Sequence, residues 1–181
     1  MITKILLLLL SFNMQNELII FDFSNKEDKN WRIINDGVMG GLSRSSFKLV
    51  KGDFALFSGT VRPENNGGFA SVRASISDME LENYDGAMIR IKGDGNLYNL
   101  RFRTNRNFDG VSYQAKFRSE KDSWKEIKIP FSDFIPTFRG RRVPNQPPLD
   151  AADIKQMGIL IADKQFGDFE LIIDWMKFYK E

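Results

Sequence analysis

The sequence predicts an all-β fold, an antiparallel β-sandwich of two packed sheets. Three observations predict it. Short stretches of alternating apolar and polar residues recur along the chain, separated by turn-forming residues at regular intervals. No apolar pattern at i, i+3, i+4, i+7 lasts long enough for a long helix. Glycines cluster in residues 31–46 (WRIINDGVMGGLSRSS) and 64–73 (ENNGGFASVR). There Asp36-Gly37, Gly40-Gly41 and Asn66-Gly67-Gly68 are expected to accept positive φ and turn the chain sharply.

The strands follow in order. Residues 17–23 (ELIIFDF) open the body, and a polar turn leads to Trp31. Residues 46–50 and 54–61 pair through Lys51-Gly52-Asp53. Residues 69–75, 86–92, 97–104, 111–119 and 124–129 come next, and 157–162 and 169–179 close the chain. Only 132–134 and 150–156 read as single helical turns, the second capped by Asp150. A hairpin through residues 105–110 sets Arg101 opposite Gln114 and Phe102 opposite Tyr113. The turn Gly93-Asp94-Gly95-Asn96, read as a second hairpin, sets Ile89 near Leu100 and Arg90 near Asn99. Together these give one apolar face and one polar face carrying Arg90, Asn99, Arg101, Arg103, Gln114 and Lys116.

Composition limits the chemistry. The chain has 181 residues, enough for one domain with a proper core, and is 42% hydrophobic with sixteen Phe. A net charge of +2 gives no global field for nucleic acid. Cys and His are both absent, which removes Ser-His-Asp and Cys-His catalysis and Cys/His zinc sites. What remains is carboxylate, Lys or Tyr chemistry, and no acidic pair stands out for glycoside cleavage. No cofactor and no catalytic residue is expected.

Residues 1–16 (MITKILLLLLSFNMQN) carry a basic Lys4 and an apolar run far shorter than the roughly 20 residues that span a bilayer. They are expected to be an export signal, with residues 17–181 as a single domain, exported or periplasmic. If residues 1–16 instead form a first strand or a frayed terminus, a cytoplasmic or membrane-associated protein follows.

Several side chains stand out as candidates. The polar face is either a solvated outer sheet or a ligand surface, since Arg forks and amides suit hydroxyls, carboxylates or phosphates. GVMGG lacks the Lys-Ser/Thr of a phosphate loop. It is expected to fold over one sheet with Met39 as an apolar plug and Asn35 and Asp36 holding backbone N–H groups. Asp36, Asn66 and Arg73 could then rim the polar face, with Asp36 as carboxylate partner to Arg73. PTFRGRR (136–142) reads as a solvated basic loop or a docking strip in which Phe138 anchors and Arg139 and Arg141 supply charge. Asp22 and Asp174 could together supply oxygen ligands to a structural calcium ion, but no acidic cluster surrounds either, and no metal site is expected. Trp31, Trp124 and Trp175 sit in alternating apolar contexts and are expected in the core, which favours a protein ligand over a sugar.

At residues 31–43 (WRIINDGVMGGLS) the chain resembles the complex I intermediate-associated family. The resemblance continues through NGGFASVR (66–73), IPF (129–131), Phe134, PTFRGR (136–141), GILIADKQ (158–165) and GDF (167–169). It covers about residues 18–180 in one motif order. It implies a jelly roll of the galactose-binding domain-like kind. It also implies a non-enzymatic, chaperone-like or scaffold protein whose partner is a subunit or assembly intermediate of a membrane complex. The alternative, from fold analogy and the polar face, is a carbohydrate-binding module of an exported protein.

Overall fold

The computed structural model describes residues 16–24, 30–51, 53–76 and 79–181. The expected export signal, but for Asn16, lies outside the described residues, as do Gly52 and most of the polar turn before Trp31. The strands are β1 Glu17–Phe21, β2 Arg32–Ile33, β3 Arg44–Val50, β4 Phe54–Val61, β5 Ala70–Ser75, β6 Gly86–Gly93 and β7 Leu97–Arg103. They continue with β8 Ser112–Arg118, β9 Trp124–Pro130, β10 Ile135–Phe138, β11 Arg141–Arg142, β12 Gln156–Ile161 and β13 Gly167–Tyr179. One antiparallel sheet runs β3-β4-β13-β6-β9, with β1 added to β13; the other runs β11-β10-β8-β7-β12-β5-β2. The long β13 pairs with β4 up to Ile173 and with β1 from Met176 onward. Among the described residues, no helix is long and apolar enough to cross a membrane.

Two expected helical turns are present. Phe131–Asp133 forms one, and Ala151–Asp153 the other, with the Asp150 carboxylate accepting from Ala152 N at 2.9 Å. The second ends before Gln156, which already belongs to β12. Residues 136–142 are not a loop. They are an edge hairpin, β10–β11, turned at Arg139 (φ 49°) and Gly140 (φ 76°), the paired positive φ values that fit a tight hairpin turn.

Inward residues of both sheets close over one core. Phe57, Ile89, Ile91, Tyr98, Leu100, Phe102, Met157, Ile159 and Phe178 are fully buried. Phe102 of one sheet meets Phe178 of the other with ring centroids 5.7 Å apart; Phe131 packs on both rings, and Phe134 on Phe102 and Phe131. Each such ring contributes about 1.5–3 kcal/mol by burial, and with no cysteine available this packing carries the cohesion of the two layers.

The hairpin expected at Gly93–Asn96 does not form. β7 pairs with β8 and β12, whereas β6 pairs with β9 and β13, so this turn carries the chain from one sheet to the other. Ile89 and Leu100 both point into the core, but from opposite layers. Arg90 therefore leaves the polar face altogether. It lies on the outside of the six-stranded sheet, ion-paired with Asp174 and 4.7 Å from the Trp124 ring. A bulge between Ile173 and Trp175 occurs where Asp174 meets Arg90.

The crossing is riveted by Asp94. Its carboxylate accepts from Glu170 N (2.8 Å), Asn96 N (2.9 Å), Asn96 Nδ2 (2.8 Å), Tyr98 OH (3.0 Å) and Ser119 Oγ (3.2 Å). These groups belong to β13, the turn, β7 and the end of β8, so one side chain ties both sheets. Burial pushes the Asp94 carboxyl up, yet these donors outweigh it and hold it below the ordinary value. Burial and the adjacent carboxylate push the Tyr98 phenol up.

Candidate functional site

The two glycine-marked stretches meet around Asp36, which has no exposure to solvent. Its carboxylate accepts from Ser43 N (2.9 Å), Ser43 Oγ, Gly68 N (2.7 Å) and Phe69 N (3.3 Å). Asn35 Oδ1 likewise accepts from Ser71 N and Ser45 Oγ. Two of the glycines serve proximity more than φ. A Cβ on Gly41 would lie 2.3 Å from Asp36 Cγ, and one on Gly67 would lie 2.5 Å from Asp36 Oδ2. Positive φ falls instead at Gly40, Asn65, Asn66 and Gly68. Burial pushes the Asp36 carboxyl up, but the Ser43 hydroxyl and the Gly68, Ser43 and Phe69 N–H groups hold it below its ordinary value. Asp36 is thus a loop anchor and not the partner of Arg73. Met39 is no plug either: it is 54% exposed, beside the exposed Val38 and Leu42. The interior position is taken by the Asp36 carboxylate, against which Gly41 and Gly67 pack too closely for a side chain. Asn66 is exposed at the loop surface.

The outer face of the seven-stranded sheet holds the arginines. Register places Gln114, Arg101, Gly158 and Arg73 in one row across β8, β7, β12 and β5, with Arg32 beyond them. Arg103 and Gln156 occupy the adjacent row. Arg73 donates to Phe108 O (2.9 Å) and Gln156 Oε1 (3.3 Å), and Arg103 to Gly110 O (2.8 Å). Gln156 Nε2 donates to Asn105 O (2.6 Å) and Asn107 O (3.1 Å). The 105–110 loop is therefore held down over the cluster by its own carbonyls. Arg101 donates to the Ser112 hydroxyl; among the described residues its Nε is sealed from solvent without an acceptor, and Asn99 Oδ1 is sealed without a donor.

No carboxylate of the described residues makes an ion pair with Arg73, Arg101 or Arg103; Asp109, nearest in influence, is paired with Arg139 at 3.2 Å. Burial and then the charges of Arg103 and Arg73 push the Arg101 guanidinium down to about 10, which leaves it cationic at neutral pH. Burial, then Arg103, does the same to Arg73, against the opposing pull of Asp109. Ser71, Arg73, Arg101, Arg103, Gln156 and Gly158 line a cleft with room for about one water, roughly 10 Å³.

The structure thus brings together Arg73, Asn99, Arg101, Arg103, Gln114 and Lys116 on one face, although Lys116 is exposed and paired with Asp163 at 2.7 Å. It separates Arg90 and Asp36 from them. Arg139 and Arg141 lie exposed on the edge hairpin. The sequence reading misses Gln156, because it assigns residues 150–156 to a helical turn, whereas Gln156 opens β12. Extending the alternation of Met157 and Ile159 back by one residue would have placed it outward.

Two tryptophans also depart from expectation. Trp124 and Trp175 are half-buried on the outside of the six-stranded sheet, Trp124 against Phe54, Arg90 and Lys92, and Trp175 with Lys177 Nζ 4.2 Å from its ring. Trp31 is half-buried against Phe21, Phe23 and Phe47. Asp22 and Asp174 are engaged elsewhere than at a calcium ion: Asp22 accepts from Ser24, and Asp174 pairs with Arg90. Among the described residues, no group of three acidic side chains could hold a metal ion.

Residues 21–173 match the family described as Complex I intermediate-associated protein 30. The chain belongs to this family. Among its relatives, an uncharacterized protein of Schizosaccharomyces pombe is 31% identical over 172 residues, covering 83% of this chain and 78% of its own length. The mitochondrial Complex I intermediate-associated protein 30 of Mus musculus is 28% identical over 184 residues, covering 90% of this chain and 56% of its own. The chain thus spans little more than half of that relative. In structure it is similar to a family 11 carbohydrate-binding module of Clostridium thermocellum solved with a β-1,3-1,4-mixed-linked tetrasaccharide. The TM-score is 0.72 at 23% identity, over 91% of this chain and 95% of the other. That likeness establishes the fold, the sandwich of the galactose-binding-like kind.

Proposed function

We propose that this protein is a non-catalytic binding module that docks a protein partner, a subunit or assembly intermediate of a membrane complex. Its family membership supports a role related to complex I assembly. The observation that carries the reading is the basic, aromatic edge of the seven-stranded sheet. Phe138 (36% exposed) lies under Arg139 on the hairpin that also carries Arg141 and Arg142, and the Arg139–Asp109 ion pair joins its tip to the 105–110 loop, where Phe108 is 62% exposed. Exposed rings with Arg neighbours are the makings of an interface anchor, and residues 135–142 contain no acid to neutralise them. An acidic partner surface is the complement.

Affinity capture from the native source is the test. Recovery of membrane-complex subunits is expected with the wild type. It should fall severalfold with R139E/R141E and on raising salt to about 0.3 M, where charge is screened beyond roughly 6 Å. Recovery indifferent to both changes overturns the reading.

A second reading, a carbohydrate-binding module, draws on the likeness to the tetrasaccharide-bound module. In this chain it would rest on the open row of Gln114, Arg101 and Arg73 on the outer face, not on the cleft beneath it, which is too small for a sugar ring. The two outward tryptophans do not help it, since they lie on the opposite sheet under cationic side chains. A glycan array with neutral oligosaccharides checks it: hits abolished by Arg101→Ala support it, and a blank array removes it.

A further inference from the structure

We infer that the cleft between Arg73, Arg101 and Arg103 is a binding site for a single oxyanion group, the carboxylate or phosphate terminus of a small ligand. This goes beyond the protein-docking surface and does not depend on it. The first argument is charge. Three guanidinium groups share one small area of sheet, two of them two residues apart on β7 and the third placed in register across Gly158. Their known partners are backbone carbonyls, an amide and a hydroxyl, which satisfy hydrogen bonds without cancelling charge. A structural arginine normally meets a carboxylate when buried. Here the nearest acid, Asp109, is drawn off by Arg139.

The second argument is the vacant donor. Arg101 Nε has neither an acceptor nor solvent contact, an unmet donor on a cleft-lining residue that an incoming oxygen would reach once the guanidinium turns outward. The Nε–H and one terminal N–H of a guanidinium form the edge that grips a carboxylate or phosphate through two parallel bonds. The third argument is size. Room for about one water at the cleft floor admits the terminal oxygens of an anion and excludes a whole sugar ring. Gly158 keeps that floor open: it places no side chain between Arg101 and Arg73, and a Cβ there would approach the Val72 carbonyl to 2.5 Å. The rest of a ligand would lie outward along the row toward Gln114 or Arg32.

Isothermal titration of the full chain with inorganic phosphate and, separately, with glucuronate tests the site, with neutral glucose as control. Saturable binding of at least one anion is expected, with none for glucose. The anion that saturates at lower concentration identifies the source, phosphate or carboxylate. Arg101→Met should weaken binding at least about tenfold, the loss of the two parallel charge-assisted hydrogen bonds of that edge. Arg44→Gln, exposed on the other sheet, should leave it unchanged. If Arg101→Met does not fold, wild-type protein labelled with ¹⁵N-arginine replaces it, and the Arg101 Nε resonance should move on adding anion. Absence of saturable anion binding, equal binding of glucose, unimpaired affinity in Arg101→Met, or a stationary Arg101 resonance would each overturn the assignment.

Discussion

Asp36→Ala is expected to destabilise the protein by roughly 3–5 kcal/mol, and to lower the thermal midpoint by on the order of 10 °C. Its carboxylate accepts from Ser43 twice and from the backbone of Gly68 and Phe69, and it has no exposure. Alanine leaves those donors without an acceptor, beneath loops whose glycines closed in because the carboxylate was there. The resulting void cannot be refilled by a neighbour, since Gly41 and Gly67 have no side chains to offer. The effect also has a pH signature. A carboxyl held below its unfolded value near 3.8 stabilises the fold above that pH, and the contribution fades as pH falls through the folded value. The stability gap between wild type and Asp36→Asn should therefore be widest near neutrality and narrow below about pH 3.8. Urea unfolding at a series of pH values checks both statements. A gap that is small, or constant down to acid, would refute the anchoring role.

Asp94→Ala should cost roughly 2–4 kcal/mol, with a different spatial signature. This carboxylate gathers Glu170 N, Asn96, Tyr98 OH and Ser119, the places where the two sheets exchange the chain. Its loss leaves the Tyr98 hydroxyl and the Glu170 N–H without that acceptor near the start of β13. Hydrogen exchange should accelerate first at Glu170 and at the Asn96–Tyr98 backbone, before the Phe102–Phe178 core opens. Uniform acceleration across the core would mean that the sheets are held together by packing alone. Because the Asp94 carboxyl is also held below its ordinary value, its contribution too is present at neutral pH and lost in acid.

Much of the fold could be read from the residues. The alternation in β7 and β8 gave the Arg101–Gln114 and Phe102–Tyr113 register that the structure shows, because a period of two leaves only one face for each side chain. The same rule misplaced Arg90. Both sheets of a sandwich carry the same inward–outward signature, so alternation says that Ile89 and Leu100 face the core without saying from which layer. The choice depends on where the chain crosses, and that crossing is held by Asp94, whose five donors lie up to 76 residues from it along the chain. In the glycine loops, the sequence marked the turn correctly but assigned the interior to Met39. A carboxylate displaced it, because only an acceptor could serve the converging N–H groups of Ser43, Gly68 and Phe69.

The candidate site divides in the same way. Arg101, Arg103, Gln114 and Asn99 were legible as one face from β7 and β8 alone, two strands joined by a short loop. Arg73 and Gln156 join them through β12, which inserts between β7 and β5 from the far end of the chain. What the residues determined by themselves was a cysteine-free and histidine-free β-sandwich, with its strands, their inward faces and the family to which it belongs. What only the tertiary structure decided was which outward faces coincide. Local alternation fixes the direction of a side chain, but long-range strand order fixes its neighbours, and three unneutralised guanidinium groups become a candidate site only once they are neighbours.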